Sequence, residues 1–194
     1  CYHPRHLASS CDLPSPMIFN RKTASTIASM AAIVTLLGVG VIHSNSASPT
    51  IFSGQATVID GDTIEIHGQR VRIAAVDAPE SDQLCENNVG RRYRCGQTAS
   101  FALADFIGRS HVTCTAESGR NGKPQTSYNR TIASCDVNGR DLGAWLVESG
   151  WALPYWTYGG ARYRGEYDRA RFLRVGIWAG RFDDPSEHRA RKRQ

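Results

Sequence analysis

Residues 58–80 read VIDGDTIEIHGQRVRIAAVDAPE and alternate apolar with polar side chains, as half-buried antiparallel strands do. Asp60-Gly61 is a hairpin signal, because Asp and Gly tolerate the positive φ that a tight turn needs. His67-Gly68 precedes a further apolar run and marks a second turn. This stretch therefore predicts a β-meander with two tight turns.

The same stretch places four carboxylates close together in sequence, at Asp60, Asp62, Asp77 and Glu80, with Arg72 among them. Clustered carboxylates repel one another and are usually tolerated when a cation neutralises them. An arginine offers a planar fork that suits a phosphate. Each motif alone is more often a plain turn or a strand end, but together they indicate a site that cleaves phosphodiesters.

Length and composition favour one globular domain. The chain has 194 residues, of which 41% are hydrophobic and 21% charged, and its formal net charge of +5 permits a polyanionic partner. The sequence has no Gly-x-Ser-x-Gly elbow, and neither His67 nor His111 lies in a recognisable catalytic motif. These absences argue against a hydrolase with a serine or histidine nucleophile.

Several motifs resemble, in the same order, those of the staphylococcal nuclease (thermonuclease) family. That family combines an Asp-Gly-Asp-Thr turn, a strand with an arginine, an Asp-x-Pro-Glu segment and a later Tyr-Gly-Arg. The matching segments here are 60–63, Arg72, 77–80 and 128–130, within a resemblance that covers roughly 52–182.

Two positions depart from the family pattern. Ala78 replaces a frequent threonine, which matters little if a metal ion uses the backbone carbonyl there. Asn129 replaces glycine, and this exchange is tolerable because Asn also accepts left-handed backbone conformations.

The resemblance implies an α+β fold, a small five-stranded OB-fold β-barrel with about three helices. A pattern of several short strands with few helices agrees with a small closed barrel. Apolar residues at helical spacing predict helices over 96–107, 142–149 and 162–174. Asp141 and Gly150 flank the second of these as an N-cap and a C-terminal glycine.

The resemblance also implies a calcium site and a general base. Asp62 and Asp77 would provide carboxylate ligands and Ala78 a carbonyl ligand. Calcium accepts mixed oxygen ligands at flexible geometry, which suits so few protein donors. Glu80 would deprotonate the attacking water.

Arg72 and Arg130 would hold the phosphate and stabilise the pentacoordinate transition state. The implied activity is calcium-dependent hydrolysis of DNA and RNA with little sequence specificity, leaving 3′-phosphate ends. Tyr128, Trp156 and Tyr158 are candidate stacking platforms for bases, and Trp156 is equally compatible with a place in the core. The alternative is a non-catalytic OB-fold module that binds nucleic acid, which the retained carboxylates and arginines disfavour.

The predicted domain contains four cysteines, Cys85, Cys95, Cys114 and Cys135. Four cysteines allow three connectivities, which the sequence alone does not decide. We expect the local pairs, Cys85–Cys95 across one loop and Cys114–Cys135 between two strand-like runs. A zinc site is the alternative, but the chain has no Cys-x-x-Cys and no suitably spaced histidine.

The two ends of the chain are expected to lie outside the domain. Residues 1–16 read as a non-native or over-extended N-terminus, and 17–47 have the basic start, apolar run and small-residue exit of a signal peptide. We expect a secreted or periplasmic protein, with an uncleaved signal anchor in the membrane as the alternative. Residues 183–194 predict a basic disordered tail. With DNA and RNA as substrates and no obligate protein partner evident, we expect a monomer.

Overall fold

The structure of the protein is a computed structural model that describes residues 48–119 and 121–194. The predicted signal peptide or anchor (17–47) and the preceding residues 1–16 lie outside the described residues. Over the described ranges, no helix combines the length and the apolar character that crossing a membrane requires.

Strands come first along the chain and helices are concentrated in its second half. The strands are β1 (Ile51–Asp60), β2 (Thr63–Ile66), β3 (Gln69–Ile73), β4 (Val76–Asp77), β5 (Leu84–Glu86), β6 (Arg92–Arg94), β7 (His111–Ala116), β8 (Thr126–Ser127), β9 (Arg130–Val137), β10 (Arg140–Asp141) and β11 (Leu153–Pro154). The helices are α1 (Cys95–Ile107), α2 (Leu142–Glu148), α3 (Arg164–Leu173) and α4 (Pro185–Lys192), and short 3-10 turns cover Trp156–Tyr158, Gly160–Tyr163 and Gly176–Ala179.

Five of the strands close into a barrel. β1 lies between β2 and β7, β2 pairs with β3, and all three pairings are antiparallel. β3 runs parallel to β9, and β9 pairs antiparallel with β7, which closes the barrel. The predicted α+β class and five-stranded barrel are confirmed, although the described residues form four α-helices instead of about three.

The barrel interior is apolar because alternate residues of a strand point to the same side. Ile64 on β2, Val71 on β3 and Val112 on β7 are fully buried there. Helix α1 packs against β1 and α2 packs against β9, and their Leu103 and Leu146 are also fully buried. Burying a side chain of this size contributes about 1.5–3 kcal/mol, so the interior stabilises the barrel without polar contacts.

Two cysteine pairs lie at disulfide-bonding distance, and they are the two local pairs expected from the sequence. The Cα atoms of Cys85 and Cys95 are 5.6 Å apart, and this pair ties the β5 hairpin to the start of α1. The Cα atoms of Cys114 and Cys135 are 4.1 Å apart and face each other in the β7–β9 register. The second pair therefore joins the two strands that close the barrel.

The C-terminal segment differs from its prediction. The sequence predicts a disordered tail over 183–194, but α4 is a helix of eight residues. The carboxylate of Asp184 accepts a hydrogen bond from the Ser186 amide at 2.8 Å, and Pro185 follows at the first helical position, where its fixed φ suits a helix. A run of basic residues predicts disorder because like charges repel, but here ion pairs with the domain offset that repulsion.

Candidate active site

Two aspartates are buried at the rim of the barrel. Asp62 lies in the β1–β2 turn, directly before β2, and Asp77 ends β4; each is only 4% exposed. Arg72 lies between them on β3, because its register position opposite Thr63 places it beside the hairpin. Its guanidinium donates to Asp62 Oδ1, and its Nη2 donates to Asp77 Oδ1 at 2.9 Å. One arginine therefore bridges two carboxylates that would otherwise repel each other.

Two features of its environment shift the pKa of Asp62 in opposite directions. Burial raises the pKa of Asp62 to about 7, and the adjacent Arg72 opposes the rise. Asp62 Oδ2 also accepts a hydrogen bond from the Ala78 amide at 3.0 Å, and Oδ1 accepts one from the Thr63 hydroxyl at 3.2 Å. The Asp62 carboxylate is therefore held rigidly by its neighbours, in a place where a nearby cation would favour its ionised form.

A close approach of two chain segments places Ala78 beside Asp62. A side chain at Gly61 would bring its Cβ within 2.7 Å of the Ala78 Cβ, so only glycine lets the hairpin meet the segment after β4. The Asp60 carboxylate accepts from the Asp62 amide at 3.1 Å and stabilises the same turn. The Asp-Gly-Asp motif is therefore a turn and a part of the site at once.

Arg130 reaches the rim from the start of β9. Its Nη1 donates to the Thr63 hydroxyl at 3.2 Å. The hairpin before it turns at Tyr128 and Asn129, whose φ values are 49° and 59°. Two successive left-handed residues are typical of a tight type I′ hairpin, and Asn129 adopts the conformation for which the family uses glycine.

A cavity of about 440 Å³ collects these residues. The three residues predicted for catalysis, Arg72, Glu80 and Arg130, line it together with the metal-ligand candidates Asp62 and Ala78. Asp77 is not among the lining residues but accepts a hydrogen bond from Arg72. The remaining lining residues are Asp60, Pro79, Ser127, Tyr128, Tyr155, Ser186, Arg189 and Arg193. Carboxylates and arginines thus face one another across a space large enough for a phosphate and its sugar.

Comparison with known families gives a match to the staphylococcal nuclease homologues over residues 70–180. That range includes Arg72, Asp77, Glu80 and Arg130. The chain belongs to the staphylococcal nuclease family.

Two curated proteins are similar to this chain over much of its length. The succinoglycan biosynthesis protein ExoI of Rhizobium meliloti (strain 1021) is 38% identical over 157 residues, which cover 80% of this chain and 78% of the relative. The micrococcal nuclease of Shigella flexneri is 30% identical over 145 residues, which cover 66% of this chain and 74% of the relative. Family membership and the second relative support a nuclease-type hydrolase.

The three aromatic residues predicted to stack on bases lie in different places in this nuclease homologue. Tyr128 is 88% exposed and lines the cavity. Tyr158 lines an adjoining groove with Tyr155. Trp156 is not among the residues that line either space, and its ring instead packs edge-on against Tyr167 at 5.3 Å. The structure therefore brings Tyr128 to the cavity and Tyr158 to the groove beside it, and brings Trp156 to neither.

Arg189 lines the candidate site but is not among the residues predicted for it from the sequence. It extends from α4 into the cavity, where its Nη1 donates to Asp77 Oδ1 and to Glu80 Oε1 at 2.9 Å each. The basic composition of 183–194 by itself predicts disorder. The Asp-Pro pair before it, an N-cap followed by a proline at the first helical position, is the signal that predicts a helix there.

The donor set fits a hard cation with few protein ligands. Asp62 and Asp77 each accept three hydrogen bonds, which leaves each carboxylate one of its about four lone-pair positions. Across the described residues, no three His, Cys, Asp or Glu side chains converge into a metal cluster. A cation bound here would therefore depend on single oxygens from two carboxylates, a backbone carbonyl and water, which is the kind of ligand set that calcium accepts.

Proposed function

We propose that this protein is a calcium-dependent nuclease that hydrolyses the phosphodiester bonds of DNA and RNA with little sequence specificity and leaves 3′-phosphate ends. The observation that carries the proposal is the cavity in which Arg72, Glu80 and Arg130 face one another beside the buried Asp62–Asp77 pair. Family membership and the micrococcal nuclease relative support the reaction class.

The metal ion would be held by Asp62, Asp77 and the Ala78 carbonyl. Calcium supplies positive charge that stabilises the phosphate oxygens as negative charge develops on them. A site with two carboxylates and few other protein donors is expected to bind calcium weakly, on the order of 10⁻⁴ M. Weak binding suits an exported enzyme, because extracellular modules work at such calcium levels.

Glu80 is the proposed general base. It lines the cavity and its side chain is 38% exposed, so water reaches it. A carboxylate placed beside a phosphodiester can take the proton of the attacking water, and such a base contributes typically about 10²–10⁴-fold to the rate.

Arg72 and Arg130 are the proposed phosphate contacts. Both line the cavity. Arg130 donates from Nη1 to Thr63 and from Nε to the Ser127 carbonyl, which leaves its Nη2 for a phosphate. A planar guanidinium can donate two parallel hydrogen bonds to phosphate oxygens and so stabilise the transition state. Tyr128 and Tyr158 would stack on bases, and stacking is tolerant of sequence because every base has a π-face.

The charges of the site agree with a phosphate substrate. The four carboxylates are Asp60, Asp62, Asp77 and Glu80, and the four arginines are Arg72, Arg130, Arg189 and Arg193. Formal charges therefore balance before any metal ion binds. A bound dication leaves the site positive, which favours an anionic phosphodiester and disfavours a neutral substrate.

Export is a second part of the proposal. Segment 17–47 is proposed as a signal peptide for a secreted or periplasmic enzyme, with an uncleaved membrane anchor as the alternative. The two cysteine pairs at bonding distance support an oxidising compartment, where disulfides persist. Fractionating cells that express the full chain, and sequencing the N-terminus of the product, tests this. An intact 17–47 segment in the membrane fraction would favour the anchor.

The activity is tested with the purified full chain on single-stranded DNA, plasmid DNA and RNA, with calcium or with a calcium chelator. We expect cleavage of all three with calcium and none in the chelator, and phosphatase-sensitive 3′ ends on the products. Succinoglycan serves as a further substrate arm, because the Rhizobium relative is named for succinoglycan biosynthesis. Undiminished cleavage in the chelator would contradict the calcium site, and no cleavage of any nucleic acid would contradict the nuclease.

A further inference from the structure

Helix α4 brings a third arginine to the acidic residues. Arg189 Nη2 donates to Asp77 Oδ2 at 2.7 Å, while its Nη1 donates at 2.9 Å both to Asp77 Oδ1 and to Glu80 Oε1. The guanidinium thus makes a bidentate contact with the Asp77 carboxylate and also donates to one oxygen of Glu80. This contact joins residues 109 positions apart in the chain.

A separate contact ties the same helix to the backbone of Glu80. The side chain of Gln83 is completely buried. Its Oε1 accepts from the Glu80 amide at 3.2 Å, and its Nε2 donates to the Asp183 carbonyl at 2.7 Å, one residue before the α4 N-cap. The buried side-chain amide of Gln83 is hydrogen-bonded to both the Glu80 segment and the start of α4. It therefore fixes the distance between them, because separating them would leave buried polar atoms unpaired.

The contact leaves Glu80 free to react. Arg189 holds Oε1, and no described residue donates a hydrogen bond to Oε2. An oxygen held on one side orients the carboxylate, and the other oxygen remains available to accept a proton. Arg72 bonds Asp62 and Asp77, and Arg130 bonds Thr63, so Arg189 is the arginine that contacts Glu80.

We propose that Arg189 is a positioning residue for phosphodiester cleavage: it orients the Glu80 carboxylate beside Asp77, with α4 as its carrier and Gln83 as the tether between α4 and the Glu80 segment. This inference rests on the proposed function, because it assigns Glu80 as the base. A glutamate on a partly exposed loop otherwise samples several rotamers, and misplacing a catalytic group by about 1 Å can cost on the order of 10²-fold in rate.

The first test compares three variants of the full chain, with kcat and KM measured separately in calcium. We expect Arg189→Gln to lower kcat about 10- to 10²-fold with KM changed less than about threefold, since the base is misplaced but the phosphate contacts remain. Arg189→Lys should recover part of kcat. The matched control is Arg191→Gln, which removes the same charge from an exposed position of the same helix and should leave kcat within about twofold.

A double-mutant cycle distinguishes positioning from other roles. If Arg189 acts through Glu80, then Arg189→Gln should cause no further loss of kcat in a Glu80→Gln background. A multiplicative loss would assign Arg189 to the substrate and overturn the inference. A higher kcat for Arg189→Gln would show that the arginine blocks the site, and this too would overturn it.

Two measurements without substrate complete the design. Thermal unfolding of the metal-free variants shows whether a lower kcat merely reflects lost structure; a loss that matches the unfolded fraction overturns the inference. Calcium titration should show that the Arg189→Gln variant binds calcium at least as tightly as the wild type, because the change removes a positive charge beside Asp77 and frees its oxygens. A wild-type protein that cleaves nothing contradicts the proposed function and with it this role, whereas a cleaving wild type with an equally active Arg189→Gln variant contradicts this inference alone.

Discussion

Around the cavity, charged side chains are buried together, whereas along the seam of β7 and β9 the buried side chains are apolar and joined by the Cys114–Cys135 pair. Asp62, Asp77 and Arg72 must be compensated by one another, because an isolated buried charge is very costly. The β7–β9 seam has no such requirement. The cavity is therefore where we expect substitutions to change activity, and the seam where we expect them to change stability.

The largest effect is expected at Glu80, in the cavity. Glu80→Gln keeps the size and most of the hydrogen bonding of the side chain but removes the proton acceptor. We expect kcat to fall by about 10²–10⁴-fold while calcium binding and the melting temperature stay close to the wild type, since Asp62 and Asp77 remain. Single-turnover cleavage and calcium titration measure both. Near wild-type rates in a folded variant would remove Glu80 from the role of base.

Arg72 tests whether activity and stability are separate within the cavity. Arg72→Lys keeps the charge but loses the planar fork, and we expect kcat to fall by about 10²–10³-fold. Arg72→Met also removes the charge that bridges two buried aspartates, so the metal-free protein should lose about 3–5 kcal/mol of unfolding free energy. Urea unfolding in a chelator compares the two variants. Equal stability of both would mean that the bridge contributes nothing to folding.

In the β7–β9 seam we expect the opposite result, a loss of stability with unchanged activity. Replacing both Cys114 and Cys135 with alanine should lower the free energy of unfolding by about 2–4 kcal/mol and leave kcat unchanged well below the melting temperature. The pair for comparison is Cys85 and Cys95. The Cys95 amide donates to the Gln83 carbonyl at 3.1 Å, and Gln83 in turn holds the Glu80 amide. Replacing Cys85 and Cys95 with alanine should therefore lower kcat as well as stability. A drop in kcat for the seam variant would show that the two regions are coupled.

The smallest effect concerns the charge of Asp62 and its dependence on pH. Burial raises the pKa of Asp62 to about 7 from its usual value of 3.8, so between these values the folded state holds a proton that the unfolded state has released. Stability from this residue is therefore greatest at low pH and is lost as the pH rises toward the folded pKa. Without metal, we expect the wild type to lose stability relative to Asp62→Asn between about pH 4 and about pH 7. A difference that does not change with pH would contradict the shift.

Much of the barrel and part of the site could be predicted from local patterns. The alternation over 58–80, the Asp-Gly turn and the Asp-x-Pro-Glu segment lie within 23 consecutive residues, so the sequence itself brings Asp62, Arg72 and Glu80 near one another. The expectation of local cysteine pairing agrees with both pairs at bonding distance. Trp156 shows the limit, because an aromatic residue in a 3-10 turn faces the site or a neighbouring helix depending on tertiary packing, and here it packs against Tyr167.

The sequence by itself determined the strand order of the meander, the turn residues and the set of carboxylates and arginines, because these depend on periodicity and on the backbone preferences of Asp, Gly and Asn. Only the tertiary structure decided that α4 docks beside Glu80. That contact depends on hydrogen bonds from Arg189 to Glu80 and from Gln83 to Asp183, each between residues about a hundred positions apart. The local pattern of charges does not indicate which distant residues will meet. A basic run that reads as a solvated tail thus becomes a part of the site once the fold supplies buried carboxylates for it to neutralise.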